Sequence, residues 1–146
     1  MKNNLPLSYI ELSRKNLIHN IKCLKSLAKK GTKFSVAVKG NAYGHGQNEI
    51  VKILETQVDY FQVDSVEELE LLRRVSKKKT LVLGYVQTND LKRAMKLGCI
   101  FSIFSLKQMS HISAIAEIEN IIQEIHIPID AYLGREGFLL GELPKL

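Results

Sequence analysis

The stretch Val36-Ala37-Val38-Lys39-Gly40-Asn41-Ala42-Tyr43-Gly44-His45-Gly46 decides how this chain is read. The apolar run Phe34 to Val38 predicts a buried strand that delivers Lys39 at its C-terminal end. A loop with three glycines follows, too flexible for a helix and too small to fill a core. In a barrel of parallel strands, the residue at a strand's C-terminal end faces the mouth where active sites form. A lysine there, backed by apolar walls, can lose its proton and act as a Schiff-base amine. Taken alone, Val-Lys-Gly would better suit a strand that merely ends in a solvated lysine.

The flanking sequence alternates. Tyr9 to Glu11 predict a short lead-in strand, and Ser13 is placed to cap a helix with Leu17, Ile21, Leu24 and Ala28 on one face and Gly31 as its stop. After the strand Phe34–Lys39 comes a helix around Asn48–Glu55, then a strand over Tyr60–Val63. Ser65 and Glu68 have capping-box spacing and open a helix carrying Leu69, Leu72 and Val75. Thr80–Val86 predicts a strand, Asn89–Leu97 a helix ended by Gly98, and Ile100–Phe104 another strand. Ser105 with Gln108 caps a helix bearing Met109, Ile112 and Ile115 or Ala116, and Glu124–Ala131 is a last strand, interrupted by Pro128.

Apart from the lead-in strand and its helix, this makes five strands with four intervening helices. Such alternation predicts a parallel sheet with right-handed crossovers. An open doubly wound sheet and a (β/α)8 barrel both satisfy it, and no G-x-G-x-x-G fingerprint follows the first strand. The sequence stops at Gly141–Leu146, after a strand and its loop, where the next covering helix is due. The expected fold is therefore α/β, a partial (β/α)8 TIM-type barrel of about five parallel strands.

Bulk properties narrow the function. A length of 146 residues is one domain's worth, and 45% hydrophobic with 25% charged content is that of a globular chain. No apolar run approaches a membrane span, and Met1-Lys2-Asn3-Asn4-Leu5-Pro6 holds no signal-peptide core. Cys23 and Cys99 form no CxxC pair, so neither a disulfide framework nor a zinc site is indicated. The expected location is the cytoplasm. The formal charge of +6 comes from dispersed residues such as Arg14, Lys22, Arg73, Arg74 and Lys92, which reads as solvated helix surface rather than a nucleic-acid patch.

A second motif lies about ninety residues downstream: His126-Ile127-Pro128-Ile129-Asp130-Ala131-Tyr132-Leu133-Gly134-Arg135-Glu136-Gly137-Phe138. Together with the Lys39 segment it resembles the alanine racemase family, in which Lys, Asn, Ala, Tyr, Gly, His and Gly occur in this order and a strand leads to Asp and then to Gly-Arg-x-Gly. Tyr9-Ile10-Glu11 with Leu17, Asn20 and Ile21 is similar to the family's first strand and helix, and Leu81-Val82-Leu83-Gly84 to its third barrel strand. The likeness runs from about residue 8 to residue 138.

The resemblance implies a pyridoxal 5'-phosphate enzyme interconverting L- and D-alanine, with an N-terminal barrel, a C-terminal β domain and a homodimeric state. Residues 1–146 match the N-terminal portion of that barrel. The resemblance makes Lys39 the lysine that holds the cofactor and serves as one catalytic base. Tyr43 matches a tyrosine beside the cofactor phosphate and Leu83 a leucine at the cofactor ring. Arg135 matches an arginine that contacts the cofactor's phenolic oxygen and the substrate carboxylate. Three departures stand out: Gly40 replaces the usual Ala, Pro128 a lysine that pairs with the arginine, and Ala131-Tyr132-Leu133 the usual Thr-Gly-Met.

The other polar residues have plainer expectations. His45 orders its own loop, His19 and His111 lie on helix surfaces, and His126 is a structural hydrogen-bonding residue. Asp130 anchors the turn before Arg135, and Asp64 does no more than precede the Ser65 cap. Tyr85 and Tyr132 lie near strand ends, where they could line the mouth or pack. No two ligand-type residues share metal spacing. Beside the racemase reading stand a non-catalytic partial barrel that captures the cofactor through Lys39 and an unrelated doubly wound binding protein.

Overall fold

A computed structural model describes residues 8–145. The leading segment Met1–Pro6, expected to hold no signal-peptide core, lies outside them, as does Leu146. Helix α1 (Arg14–Ser26) precedes strand β1 (Ser35–Ala37), a single helical turn α2 (Lys39–Tyr43) and helix α3 (Gln47–Leu54). Then come β2 (Tyr60–Val63), α4 (Val66–Arg73), β3 (Thr80–Val82), α5 (Thr88–Lys96), β4 (Ile100–Ser102), α6 (Leu106–Ile118) and β5 (Ile125–His126). A short 3-10 helix spans Leu140–Lys145. Among the described residues, no helix is long and apolar enough to cross a membrane.

All pairings are parallel, and the strands lie in the order β1-β2-β3-β4-β5. This order separates the two architectures. A doubly wound sheet reverses direction at a switch point, whereas here each strand is laid beside its predecessor. With right-handed crossovers, such an order puts every connecting helix on one face. The five strands are an arc of a (β/α)8-type barrel.

Register sorts the strand residues into two layers. Val36, Phe61, Val63, Val82, Phe101 and Ile125 share the outer face, where they meet the helices. There they pack with Leu54, Leu69, Leu72, Leu91 and Ile112, and full burial of each such side chain stabilises the fold by about 1.5–3 kcal/mol. The inner face carries Ala37, Gln62, Leu81, Ile100, Ser102 and His126, a smaller and more polar set. Of these, Leu81 and Ile100 are buried, while Ala37, Gln62 and Ser102 border open space at the C-terminal ends of the strands.

Several expected elements differ. Tyr9–Glu11 forms no strand; β1 is paired only with β2 among the described residues, and Tyr9 and Ile10 are exposed. Helix α1 touches the rest mainly through α3, so Ile21 is its one buried residue and Leu24 faces solvent. The strands predicted over 80–86 and 100–104 each stop after three residues. The last strand shrinks to Ile125–His126 because Pro128 has no N–H, and the chain folds back through an isolated bridge between Ile129 and Phe138.

Arg73 is a further correction to the reading of the basic residues as solvated surface. Its guanidinium is partly buried and donates to the carbonyls of Leu97 (2.6 Å), Gly98 (2.8 Å) and Lys78 (3.1 Å) and to the Thr80 hydroxyl (3.0 Å). It closes the C-terminal end of α5 against the start of β3.

Candidate active site

The β1 ladder continues one residue past the strand, where Val38 N–H donates to the Gln62 carbonyl at 2.8 Å. Lys39 then opens a turn of unusual hand. Gly40, Asn41, Ala42 and Tyr43 all have φ between 53° and 58°, and Gly44 follows at 88°. Left-handed helical conformation costs a non-glycine residue about 1–2 kcal/mol, so three such residues in succession need outside support.

The motif residues supply it. Ala42 N–H donates to Val38 O (2.9 Å) and Gly44 N–H to Gly40 O (3.1 Å). Ala42 is buried, and His45 Nδ1 lies 3.0 Å from its carbonyl. The Asn41 side-chain oxygen accepts from Gln47 N–H at 2.9 Å and so starts α3. Asn41, Ala42 and His45 thus hold the turn. Lys39 and Tyr43 are left to face the cavity.

Glu68 completes the support. Sequence spacing made it the partner in a capping box, and Ser65 Oγ does accept from Glu68 N–H at 3.3 Å. The Glu68 carboxylate, however, accepts from Gly40 N–H (2.6 Å) and Asp64 N–H (2.7 Å). One carboxylate therefore ties the turn after β1 to the corner after β2. The buried Gln47 adds a bond from its Nε2 to the Glu68 carbonyl at 3.1 Å.

A cavity of about 590 Å³ opens at the C-terminal ends of the strands. Lys39, Tyr43, Leu83 and Arg135, from three separate segments, all line it, together with Asp64 and Tyr85. The volume is in the range of small-molecule sites. Leu83 lies just past β3, its N–H donating to Val63 O at 2.8 Å. Arg135 sits on the irregular segment after β5, its side chain 66% exposed and paired with its neighbour Glu136 at 3.1 Å. Asp130 holds that segment by accepting from Leu133 N–H (2.8 Å) and Gly134 N–H (3.0 Å).

Asp64 was expected to do nothing but precede a cap. Its Oδ1 instead lies 3.0 Å from Lys39 Nζ. This reverses the expectation of a lysine that readily loses its proton. The Asp64 hydrogen bond holds the Lys39 ammonium above the ordinary lysine range against the opposing effect of burial. The charges of Asp64 and Tyr43 add to the rise, and that of Arg135 reduces it. Sequence spacing carries no trace of this pair, because the two residues are 25 positions apart and meet only through the β1–β2 register.

The remaining polar residues lie apart. His19 lies 3.4 Å from Cys23 Sγ, and His111 Nδ1 3.2 Å from Thr88 Oγ1. His126 is exposed on β5, its carbonyl accepting from Ile103 N–H. Tyr132 is exposed and is not among the residues lining the cavity. Among the described residues, no group of three or more His, Cys, Asp or Glu could hold a metal ion.

Residues 12–146 match the family model for the alanine racemase N-terminal domain. The chain is 32% identical over 138 residues to alanine racemase 1 of Caldanaerobacter subterraneus subsp. tengcongensis, covering 93% of this chain and 36% of that protein. It is 35% identical over 141 residues to the alanine racemase of Fusobacterium nucleatum subsp. nucleatum, covering 95% and 38%. The solved alanine racemase of Clostridium difficile 630 superposes with a TM-score of 0.80 at 31% identity, over 86% of this chain and 33% of that one. The chain thus spans about a third of the length of these relatives.

Proposed function

Because the chain belongs to the alanine racemase N-terminal domain family, we propose that its 146 residues form the N-terminal portion of the cofactor-binding barrel of a pyridoxal-phosphate amino-acid racemase. Alanine is the proposed substrate. The observation that carries this reading is the convergence of Lys39, Tyr43, Leu83 and Arg135 on one cavity.

The cavity suits the cofactor chemically. Lys39 and Arg135 offer two cations, each paired here with a carboxylate (Asp64 and Glu136) that an anionic ligand would have to displace. The Tyr43 phenol can donate to a phosphate, and Leu83 offers an apolar wall for a ring. When bound, pyridoxal phosphate supplies an electron sink for a carbanion at the substrate Cα. In this reading Lys39 holds the cofactor and, once released, takes or returns the Cα proton on one face. The Arg135 guanidinium can fork onto the substrate carboxylate and orient it. The backbone of the left-handed turn keeps Lys39 at the cavity mouth and Tyr43 beside it.

Racemisation needs a base on each face of Cα, and among the proposed site residues only Lys39 is one. We assign the second base, the rest of the barrel and the β domain to structure supplied from outside these residues, in a cytoplasmic homodimer. Incubation with pyridoxal phosphate followed by borohydride should leave the cofactor attached to Lys39, and Lys39→Ala should abolish the attachment. Attachment to another lysine would overturn the assignment. The 146 residues alone should form no D-alanine from L-alanine with saturating cofactor. Lysine-dependent turnover in the ordinary enzyme range of about 1–1000 per second would show that both bases lie within them.

The presence of a single base among the proposed site residues favours one other reading, a barrel segment that captures the cofactor without turnover. Absence of racemisation from a protein completed with the remaining family elements would support it.

A further inference from the structure

Lys39 and Asp64 are a built pair. The backbone N–H groups of Gly40 and Asp64 both donate to the one Glu68 carboxylate, so the turn bearing the lysine and the corner bearing the aspartate are tied together. On its other side Asp64 is closed in by Gly84, where a Cβ would run into the Asp64 carbonyl oxygen. The Lys39 side chain is 27% exposed, whereas lysines in the other Lys–carboxylate pairs among the described residues are 55–71% exposed.

The geometry points to Asp64 as the residue that governs when Lys39 can react. Its carboxylate, 3.0 Å from Nζ, adds to a lysine's ordinary preference for the ammonium form, and Nζ becomes free to bond carbon only when that pair is broken. Asp64 is thus a restraint on Lys39 at neutral pH rather than a helper. For the amine itself the inference rests on geometry. For cofactor capture it rests also on the proposal that Lys39 holds pyridoxal phosphate.

The other groups at Lys39 can be enumerated. The turn itself brings Tyr43, the corner after β2 brings Glu68 against the backbone, and the segment after β3 brings Tyr85. Arg135 and Glu136 come from the segment after β5, while β4 and its loop offer Ser102 and Phe104, which do not titrate. Arg135 opposes the restraint, as a like charge facing the ammonium. The direct hydrogen bond from Lys39 to Asp64 outweighs it.

The test is competitive acetylation of the protein with limiting acetic anhydride from neutral to strongly alkaline pH, read lysine by lysine by mass spectrometry. Acetylation forms a bond from Nζ to carbon, expels acetate and passes the amine's proton to water, so only the neutral amine reacts. In Asp64→Asn the Lys39 midpoint should fall by about one pH unit, a roughly tenfold gain in reactivity near neutrality. Lys79, paired with Glu124 at 2.7 Å, is the internal control and should not move. Asp64→Ala, which truncates a side chain 53% exposed, serves if the Asn variant fails to fold. An unmoved Lys39 midpoint in the folded variant would overturn the inference.

A second arm fixes pyridoxal phosphate with borohydride at neutral pH, where the yield on Lys39 should rise in Asp64→Asn. A shifted acetylation midpoint with no cofactor fixed in either protein would keep the role of Asp64 and overturn the cofactor reading. Fixed cofactor with an unshifted midpoint would do the reverse.

Discussion

Gly84 sits where the chain leaves β3, and a methyl group there would meet the Asp64 carbonyl oxygen, a backbone atom that cannot swing aside. Gly84→Ala should destabilise the protein by about 1–3 kcal/mol, the ordinary cost of overpacking, measured by urea unfolding. An unchanged midpoint would mean that the strand ends are not pressed together as described. Asp59 makes a different kind of tie. Its carboxylate accepts from Phe34 N–H at 2.8 Å and from Lys33 Nζ at 3.4 Å, joining the entrance of β1 to the entrance of β2. The Phe34 N–H, followed by the Lys33 contact, holds the Asp59 carboxyl below its usual value. A depressed carboxylate contributes stability above its unfolded-state value and loses it as pH falls through the lower folded one. Asp59→Asn should therefore lose less stability than the wild type between mildly and strongly acidic pH, with thermal melting as the readout. Identical acid profiles would exclude the tie.

Three helices start in the same way. Ser13, Ser65 and Ser105 each accept through Oγ from the N–H three residues on, at 3.3, 3.3 and 3.1 Å. These caps were legible because a serine before an apolar-periodic run satisfies an N–H that the helix leaves unpaired. Ser105→Ala should cost about 1 kcal/mol in denaturant unfolding, and no loss would remove the cap from the account. What the caps' partners do was not legible. Gln108 sends its side-chain oxygen to Phe104 N–H (3.0 Å), and Glu68 sends its carboxylate to Gly40 and Asp64. The left-handed turn was equally hidden, since Asn41, Ala42 and Tyr43 have no intrinsic need for positive φ and adopt it only under contacts from α3 and β2.

As a molecule, the arc has edges at β1 and β5, and parallel strands are ordinarily covered on both faces. Near β5, Ile118, Ile121, Ile122, Ile127 and Ile129 are exposed. The 146 residues alone should self-associate as concentration rises, and Ile122→Lys should weaken this in analytical ultracentrifugation. A monodisperse wild-type monomer would refute the expectation. The sequence alone determined the strand–helix alternation, because hydrophobic period and capping chemistry are local, and it determined which residues carry the two motifs. Only the tertiary structure decided between an open sheet and a barrel arc, since both obey the same local pattern and differ only in which strands pair. It also decided the surroundings of Lys39. The hydrogen bond that further favours its ammonium form comes from Asp64, and a partner 25 positions away is delivered by strand register and a shared carboxylate, neither of which is written at any one position.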